Sequence, residues 1–161
     1  MSEWPEAVQR VARFLDAAGA EARLEEFPEG TPTAKDAARA VGCELGQIVK
    51  SIVLHCDDRP VVVLVPGDRR ADPGKVAAAV GAAGGRVARP PEVEAATGFE
   101  PGAVAPFPLP RVNRVFVDRH LLRHDRVWVG AGSARHMVGL TPAELLRLAR
   151  AQPMDAVQNG A

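Results

Sequence analysis

Two aliphatic runs, Ile48–His55 and Pro60–Val65, stand on either side of Asp57-Asp58-Arg59. Each has the length and β-branched content of a buried strand, and the short polar link between them predicts a hairpin. One residue breaks the pattern. Lys50 sits inside the first run, Gly46-Gln-Ile-Val-Lys-Ser-Ile-Val-Leu54. An unpaired buried ammonium costs several kcal/mol, a large part of a domain's whole stability. Lys50 must therefore snorkel to water, pair with an acid, or point into a polar cleft.

The 161 residues suit a single domain, expected over 1–151, with 152–161 as a frayed tail. Hydrophobic content of 47% and charged content of 25% fit a soluble globular protein. The formal net charge is zero, so no global basic excess points to nucleic acid, although a local basic face remains open. Seventeen of the twenty basic residues are arginine, which makes the three lysines, Lys35, Lys50 and Lys75, more conspicuous. Cys43 and Cys56 have no metal-ligand spacing and imply no disulfide framework, as expected of a reducing cytoplasm. The first residues lack a basic and apolar leader, and no apolar run reaches the roughly 18 residues that span a membrane.

Along the chain, Val8, Val11, Phe14 and Leu15 share a helical face over 5–18, and 22–27 reads as a short strand. Thr33 with Asp36 three residues on starts a second helix. Asp72-Pro73 and Pro90-Pro91 open two more, stopped by Gly81 and Gly98, with a short strand at 85–88 between them. The proline- and glycine-rich stretch 99–112 can be neither central strand nor helix, and its Phe99, Val104, Phe107 and Leu109 argue for an ordered loop. Strands are expected at 114–118, 126–130 and 136–140, with Gly130-Ala-Gly132-Ser133 as a tight turn before the last. Thr141-Pro-Ala-Glu144 is a capping box that opens a helix to about Arg150. The fold class is therefore α+β, a mixed, barrel-like twisted sheet surrounded by helices.

Most signatures of chemistry are absent. There is no P-loop, no dinucleotide fingerprint and no nucleophile elbow. His55 and Cys56 are strand neighbours that face opposite ways, and the four histidines have no metal spacing. No metal or other cofactor is expected. Three features remain: Lys50 on its strand, the loop Gly102-Ala-Val-Ala-Pro106, and Gly130-Ala-Gly-Ser-Ala-Arg-His136, a glycine-rich turn whose free N–H groups can hold an anion or a developing oxyanion.

In order, Thr31-Pro-Thr-Ala-x-Asp-Ala-Ala, Gly46-Gln-Ile-Val-Lys50-Ser51, Leu64-Val-Pro-Gly-Asp-Arg69, Gly98-Phe-x-Pro-Gly102-x-Val-x-Pro106-Phe and Trp128-Val-Gly-Ala-Gly-Ser133-x-Arg-His136 resemble the YbaK/ProX family. These are freestanding relatives of the editing insertion domain of bacterial prolyl-tRNA synthetase. The resemblance runs from about residue 5 to 150. It implies hydrolysis of the ester between a wrong amino acid and the 3′-terminal adenosine of tRNA. It places Lys50, Gly102 and His136 in catalytic positions. Thr31, Thr33, Ser51, Pro106, Gly130, Gly132 and Ser133 fall at substrate-binding positions, and Arg69, Arg70 and Arg135 are candidates for tRNA contact. Mischarged tRNA is the implied partner and prolyl-tRNA synthetase a candidate one, for a monomer or weak homodimer. The chain departs from the alanine-specific branch at Ser51, where that branch tends to carry Asn, and its loop lacks the serine some relatives carry at the fourth position.

The chemistry of the residues is compatible with that activity. An aminoacyl ester is already activated, so its hydrolysis needs a positioned water, oxyanion donors and a cation near the RNA end. No side chain in the motifs is an obvious general base. That leaves a competing reading, a non-catalytic module that binds tRNA, a nucleotide or a synthetase through the same fold. A hydrolase of another small acyl ester is a third.

Overall fold

The computed structural model describes residues 3–159. The hairpin that dominates the sequence forms its centre. Strands β2 (Val49–Cys56) and β3 (Arg59–Pro66) pair antiparallel from Cys56↔Arg59 to Val49↔Pro66. Asp57 and Asp58 turn the chain with φ of 49° and 67°, the both-positive geometry that suits strand twist and that aspartate tolerates. Counting from that turn, Pro60 and Pro66 occupy positions that owe β2 no ladder bond, so their missing N–H groups cost nothing there.

Parallel strands extend the sheet beyond β3: β5 (Val115–Asp118) and then β8 (Gln152–Met154). On the other side β4 (Gly85–Val87) pairs β2, but only over Leu54–Cys56. A second, antiparallel sheet has the order β1 (Ala22–Glu26), β7 (His136–Leu140), β6 (Val127–Ser133). The two sheets meet at the parallel bridge Ile48↔Trp128, which gives the expected mixed, barrel-like α+β architecture.

Strand alternation sorts the core. Val49 and Val53 face a central cluster with Val62, Leu64, Val104, Val129 and Leu140, while Leu54, Cys56, Val63 and Val65 face a second one with Val76 and Phe116. Helix α1 (Glu6–Ala17) contributes Val8, Val11 and Leu15, all buried. Helix α2 (Ala34–Val41) covers Ile48, Trp128 and Met137 with its alanines, Ala37 and Ala38. Helices α3 (Pro73–Ala79) and α4 (Pro90–Thr97) start on prolines and α4 stops at left-handed Gly98, as the sequence indicates. At α5 (Pro142–Ala149) Thr141 caps the Glu144 N–H, but the Glu144 carboxylate accepts from the Glu21 N–H and pairs with Arg147, so the capping box is half made. No described helix is long and apolar enough to cross a membrane.

Two expectations need correction. Residues 152–159 are not a frayed tail. Strand β8 pairs β5, Ala156 and Val157 are buried, and Lys75 Nζ donates to Asp155 Oδ2, the Val157 carbonyl and Asn159 Oδ1. The segment is short and proline-interrupted, so its pattern carries no strand signal, yet the parallel edge of β5 supplies its partner. Residues 160–161 lie outside the described part. Nor is Gly130–Ser133 a turn. It is the end of β6, carrying an irregularity between Gly130 and Ser133, and the turn falls at Ala134-Arg135.

Candidate functional site

From the turn outward, residues 49, 51, 53 and 55 direct their backbone groups away from β3. The Val53 carbonyl accepts from the Ala88 N–H, but among the described residues no strand pairs with this edge of β2 at Ser51. A cavity of about 360 Å³ lies against this open edge, within the range of small-ligand pockets. Because it wraps an edge, it touches both faces of β2, and Lys50 and Ser51 both line it.

The loop expected to be functional forms the facing wall. Pro101 and Gly102 take the centre of a turn closed by Ala103 N–H to the Glu100 carbonyl, and Gly102 has φ +83°, which a type II turn requires at that position. Ala103 and Val104 are buried beside it. Gly130 of β6 lets this loop approach, since a Cβ there would lie 3.0 Å from the Val104 carbonyl oxygen. Ser133, Ala134 and His136 complete that wall.

Thr31 and Thr33 line the cavity, but their hydroxyls are committed elsewhere. Thr31 Oγ1 donates to the Ala134 carbonyl, and Thr33 caps α2 by accepting from the Asp36 N–H. In contrast, Ser51 Oγ and His136 Nε2 are buried without a hydrogen-bond partner. They are the lining side-chain atoms with unmet demand, and a bound polar group would satisfy both.

His136 is 2% exposed and packs edge-on to Trp4, with ring centroids 5.1 Å apart. Burial lowers its pKa; Glu26 partly opposes the shift and Arg135 reinforces it, so the ring is neutral near pH 7. Ser133 Oγ accepts from the Arg135 N–H and lies 2.6 Å from His136 Nδ1. With the serine proton directed at Nδ1 the histidine proton sits on Nε2 and His136 is a donor there; with the proton on Nδ1, directed at Ser133 Oγ, Nε2 is an acceptor. Glu26 Oε2 stands 3.8 Å from Nε2, too far for a hydrogen bond.

Lys50 resolves its conflict through a backbone carbonyl at the edge of the cavity. It makes no ion pair among the described residues, and its Nζ donates to the Arg69 carbonyl at 2.6 Å. Its pKa is lowered by desolvation and by Arg70, with Asp68 opposing. The ammonium is thus bonded to the β3–α3 turn rather than to either glycine-bearing wall, while its residue lines the cavity both walls enclose.

Several expected residues lie elsewhere. Pro106 is not among the lining residues; it is buried and borders a separate groove with Phe14 and Phe107. Gly132, with φ +99°, packs on α1, where a Cβ would sit 2.9 Å from the Ala7 carbonyl carbon. Arg69, Arg70 and Arg135 are exposed and outside the cavity, Arg135 at the tip of the β6–β7 hairpin. Conversely, the apolar lining by Val53, Val87, Ala88 and Val93 was not singled out from sequence. Val87, 58% exposed, is the one large apolar side chain left open among the described residues, and a solvent-exposed valine at a cavity rim has no local sequence signal.

A family model described as an aminoacyl-tRNA editing domain matches residues 28–148. The uncharacterized protein YwhH of Bacillus subtilis (strain 168) is 32% identical over 123 residues, 76% of this chain and 78% of that protein. Among solved structures, "a putative trans-editing enzyme for prolyl tRNA synthetase" is 37% identical with a TM-score of 0.90, covering 98% of this chain and 100% of the other. Hypothetical protein APE2540 is 29% identical with a TM-score of 0.86, over 92% and 99%. The chain therefore belongs to the aminoacyl-tRNA editing domain family.

Proposed function

We propose that this protein is a trans-editing deacylase, hydrolysing the ester between a small wrong amino acid and the terminal adenosine of a tRNA, with tRNA-Pro or a related tRNA as the carrier. The observation that carries the reading is one cavity joining Lys50, the Gly102 turn and the Gly130–His136 wall around an unpaired strand edge. The apolar lining by Val53, Val87, Val93 and Val104 suits a small side chain. Lys50 supplies positive charge beside the RNA end. The N–H of His136 Nε2 and the backbone donors of the glycine-bearing walls suit a carbonyl oxygen that gains charge as water adds.

Water adds to the ester carbonyl, the C–O bond to the ribose breaks, and the ribose oxygen takes up a proton. Among the described residues no Asp or Glu lines the cavity, and with its proton on Nε2 His136 cannot accept the water's proton. The adjacent ribose hydroxyl or a backbone carbonyl on the open β2 edge fills that role. The same lack of a base favours the second reading, a non-catalytic tRNA-binding module.

A panel of Ala-, Ser-, Thr- and Cys-charged tRNAs separates the two. Wild type is expected to clear at least one by multiple turnover and Lys50→Ala to be slower by about a hundredfold or more, the scale of losing one electrostatic group. Tight binding without turnover would establish the second reading, and equal rates for wild type and Lys50→Ala would remove Lys50 from the mechanism. Prolyl-tRNA synthetase is the partner to test by adding it to the same assay.

A further inference from the structure

Beyond the Arg69 carbonyl that holds Lys50 lies a second cleft of about 400 Å³. It is bounded by the 3₁₀ turn Leu45–Gln47, the β3–α3 turn and the 3₁₀ turn Arg119–Arg123. Arg69, His120, Arg123 and His124 line it together with Glu44 and Asp68. The three segments 44–50, 66–70 and 119–126 carry six lysines and arginines against three acids, in a chain whose net charge is zero.

Among the described residues none of these six cations makes an ion pair. Elsewhere Arg13, Arg86, Arg147 and Lys75 are each within 3.0 Å of a carboxylate. The acids of the cleft are placed apart from its arginines: the Asp68 carboxylate lies over Gly46, 3.3 Å from where a Cβ would be. His120 is fixed rather than free. Asp118, fully buried, accepts from His120 Nδ1 at 2.7 Å and from the Ala156 N–H at 2.9 Å. That holds one ring edge inward and leaves Nε2 uncommitted on a residue lining the cleft.

We infer that this cleft binds backbone phosphates of the RNA 3′ strand. Guanidinium forks without carboxylate partners match phosphate oxygens, and the two sites are joined by one hydrogen bond, from Lys50 of the first cavity to the carbonyl of Arg69, which lines the cleft. A strand whose terminal adenosine enters the first cavity meets Arg69 and Arg123 with the phosphates that precede it. The inference rests on the editing reading for the identity of the ligand. It sharpens the candidate tRNA contacts by keeping Arg69 and assigning Arg123 and His124. Arg111 is excluded because it bonds the Ala95 carbonyl, and Arg114 because it lies over the Phe116 ring.

The test is anisotropy of an uncharged RNA microhelix ending in single-stranded CCA, titrated against salt, for wild type, the double variant Arg69→Ala/Arg123→Ala, and Arg59→Ala. Both cleft arginines are exposed, so the double variant keeps the fold, which circular dichroism checks. Arg59 lies at the opposite end of β3 and serves as the control for charge. Loss of two single-strand phosphate contacts is expected to reduce the slope of log K against log salt by about 1.4, with Arg59→Ala keeping the wild-type slope. An unchanged slope in the double variant, or an equal drop in Arg59→Ala, overturns the cleft. Inorganic phosphate is titrated in parallel: if the double variant loses phosphate binding but keeps the RNA slope, the site takes free anions and the inference falls. No step requires hydrolysis, so a failed deacylation panel and a failed cleft are told apart.

Discussion

Replacing Gly130 and Gly132 one at a time by alanine separates two glycines, two positions apart, that the sequence places in one motif. At Gly132 the new Cβ meets the Ala7 carbonyl carbon at 2.9 Å and its oxygen at 3.0 Å, in a residue with φ +99°. The left-handed backbone costs about 1–2 kcal/mol and the overpacking against α1 about 1–3 kcal/mol, so Gly132→Ala should lose about 2–5 kcal/mol. At about 2–4 °C per kcal/mol for a chain of this size, that is a drop in Tm of roughly 4–20 °C. At Gly130 φ is not positive, and the Cβ meets only the Val104 carbonyl oxygen at 3.0 Å. The stability loss there is the overpacking alone, about 1–3 kcal/mol. Its effect on activity should be the larger, because relief of the contact moves the loop that lines the cavity. A shift of a few tenths of an ångström in a site where 1 Å costs about a hundredfold predicts a several-fold fall in kcat/KM. Urea titration and deacylation kinetics on both proteins decide it. If Gly130→Ala is as active and as stable as wild type, or if Gly132→Ala is stable but inactive, the division between a site glycine and a packing glycine is wrong.

Truncation after Ala151 should cost several kcal/mol by thermal melt, because it strips β8 from β5 and removes buried Ala156 and Val157; an unchanged Tm would restore the tail reading. Asp118→Ala should lose about 3–5 kcal/mol in urea, since the backbone donors of His120 and Ala156 and the His120 ring lose a buried acceptor, whereas Asp68→Ala at the surface should stay within about 0.5 kcal/mol. His136 has a folded pKa below its unfolded value, so folding stability is complete above about pH 6.5 and declines as pH falls from there toward the folded pKa. His136→Gln should flatten that decline in urea titrations across the range, and an identical pH profile would show that His136 does not titrate as its burial demands.

The elements with local signatures were legible. Proline starts, left-handed glycine stops and the aspartate hairpin turn act through a few neighbouring residues, and each appears where the sequence puts it. Lys50 was legible as a conflict and its cavity as a consequence, but the direction of its ammonium was not, because the Arg69 carbonyl that receives it is set by the β3–α3 turn. Gly132 and Pro106 were drawn into the site by the motifs that carry the family resemblance. The irregularity of β6 between Gly130 and Ser133 and the approach of α1 turn Gly132 away from it, and Pro106 borders a separate groove with Phe14; both depend on tertiary placement. Strand β8 was missed because a three-residue strand with a proline owes its existence to the parallel edge it joins. The division of the arginines into paired and unpaired sets is likewise invisible until the chain is folded.

The carboxylate of Asp118 gives the protein an order of assembly. During synthesis Asp118 leaves the ribosome with β5, well before Ala156, whose N–H is one of its acceptor's buried partners. Until that later segment arrives, β5 has an open edge and its terminal acid stays hydrated. The β2–β3 hairpin, made of neighbouring residues, can close early, whereas the β5–β8 edge can lock only afterwards. A nascent chain stalled between these two points would present a formed hairpin beside an unfinished sheet edge, the kind of surface that chaperones and neighbouring nascent chains engage.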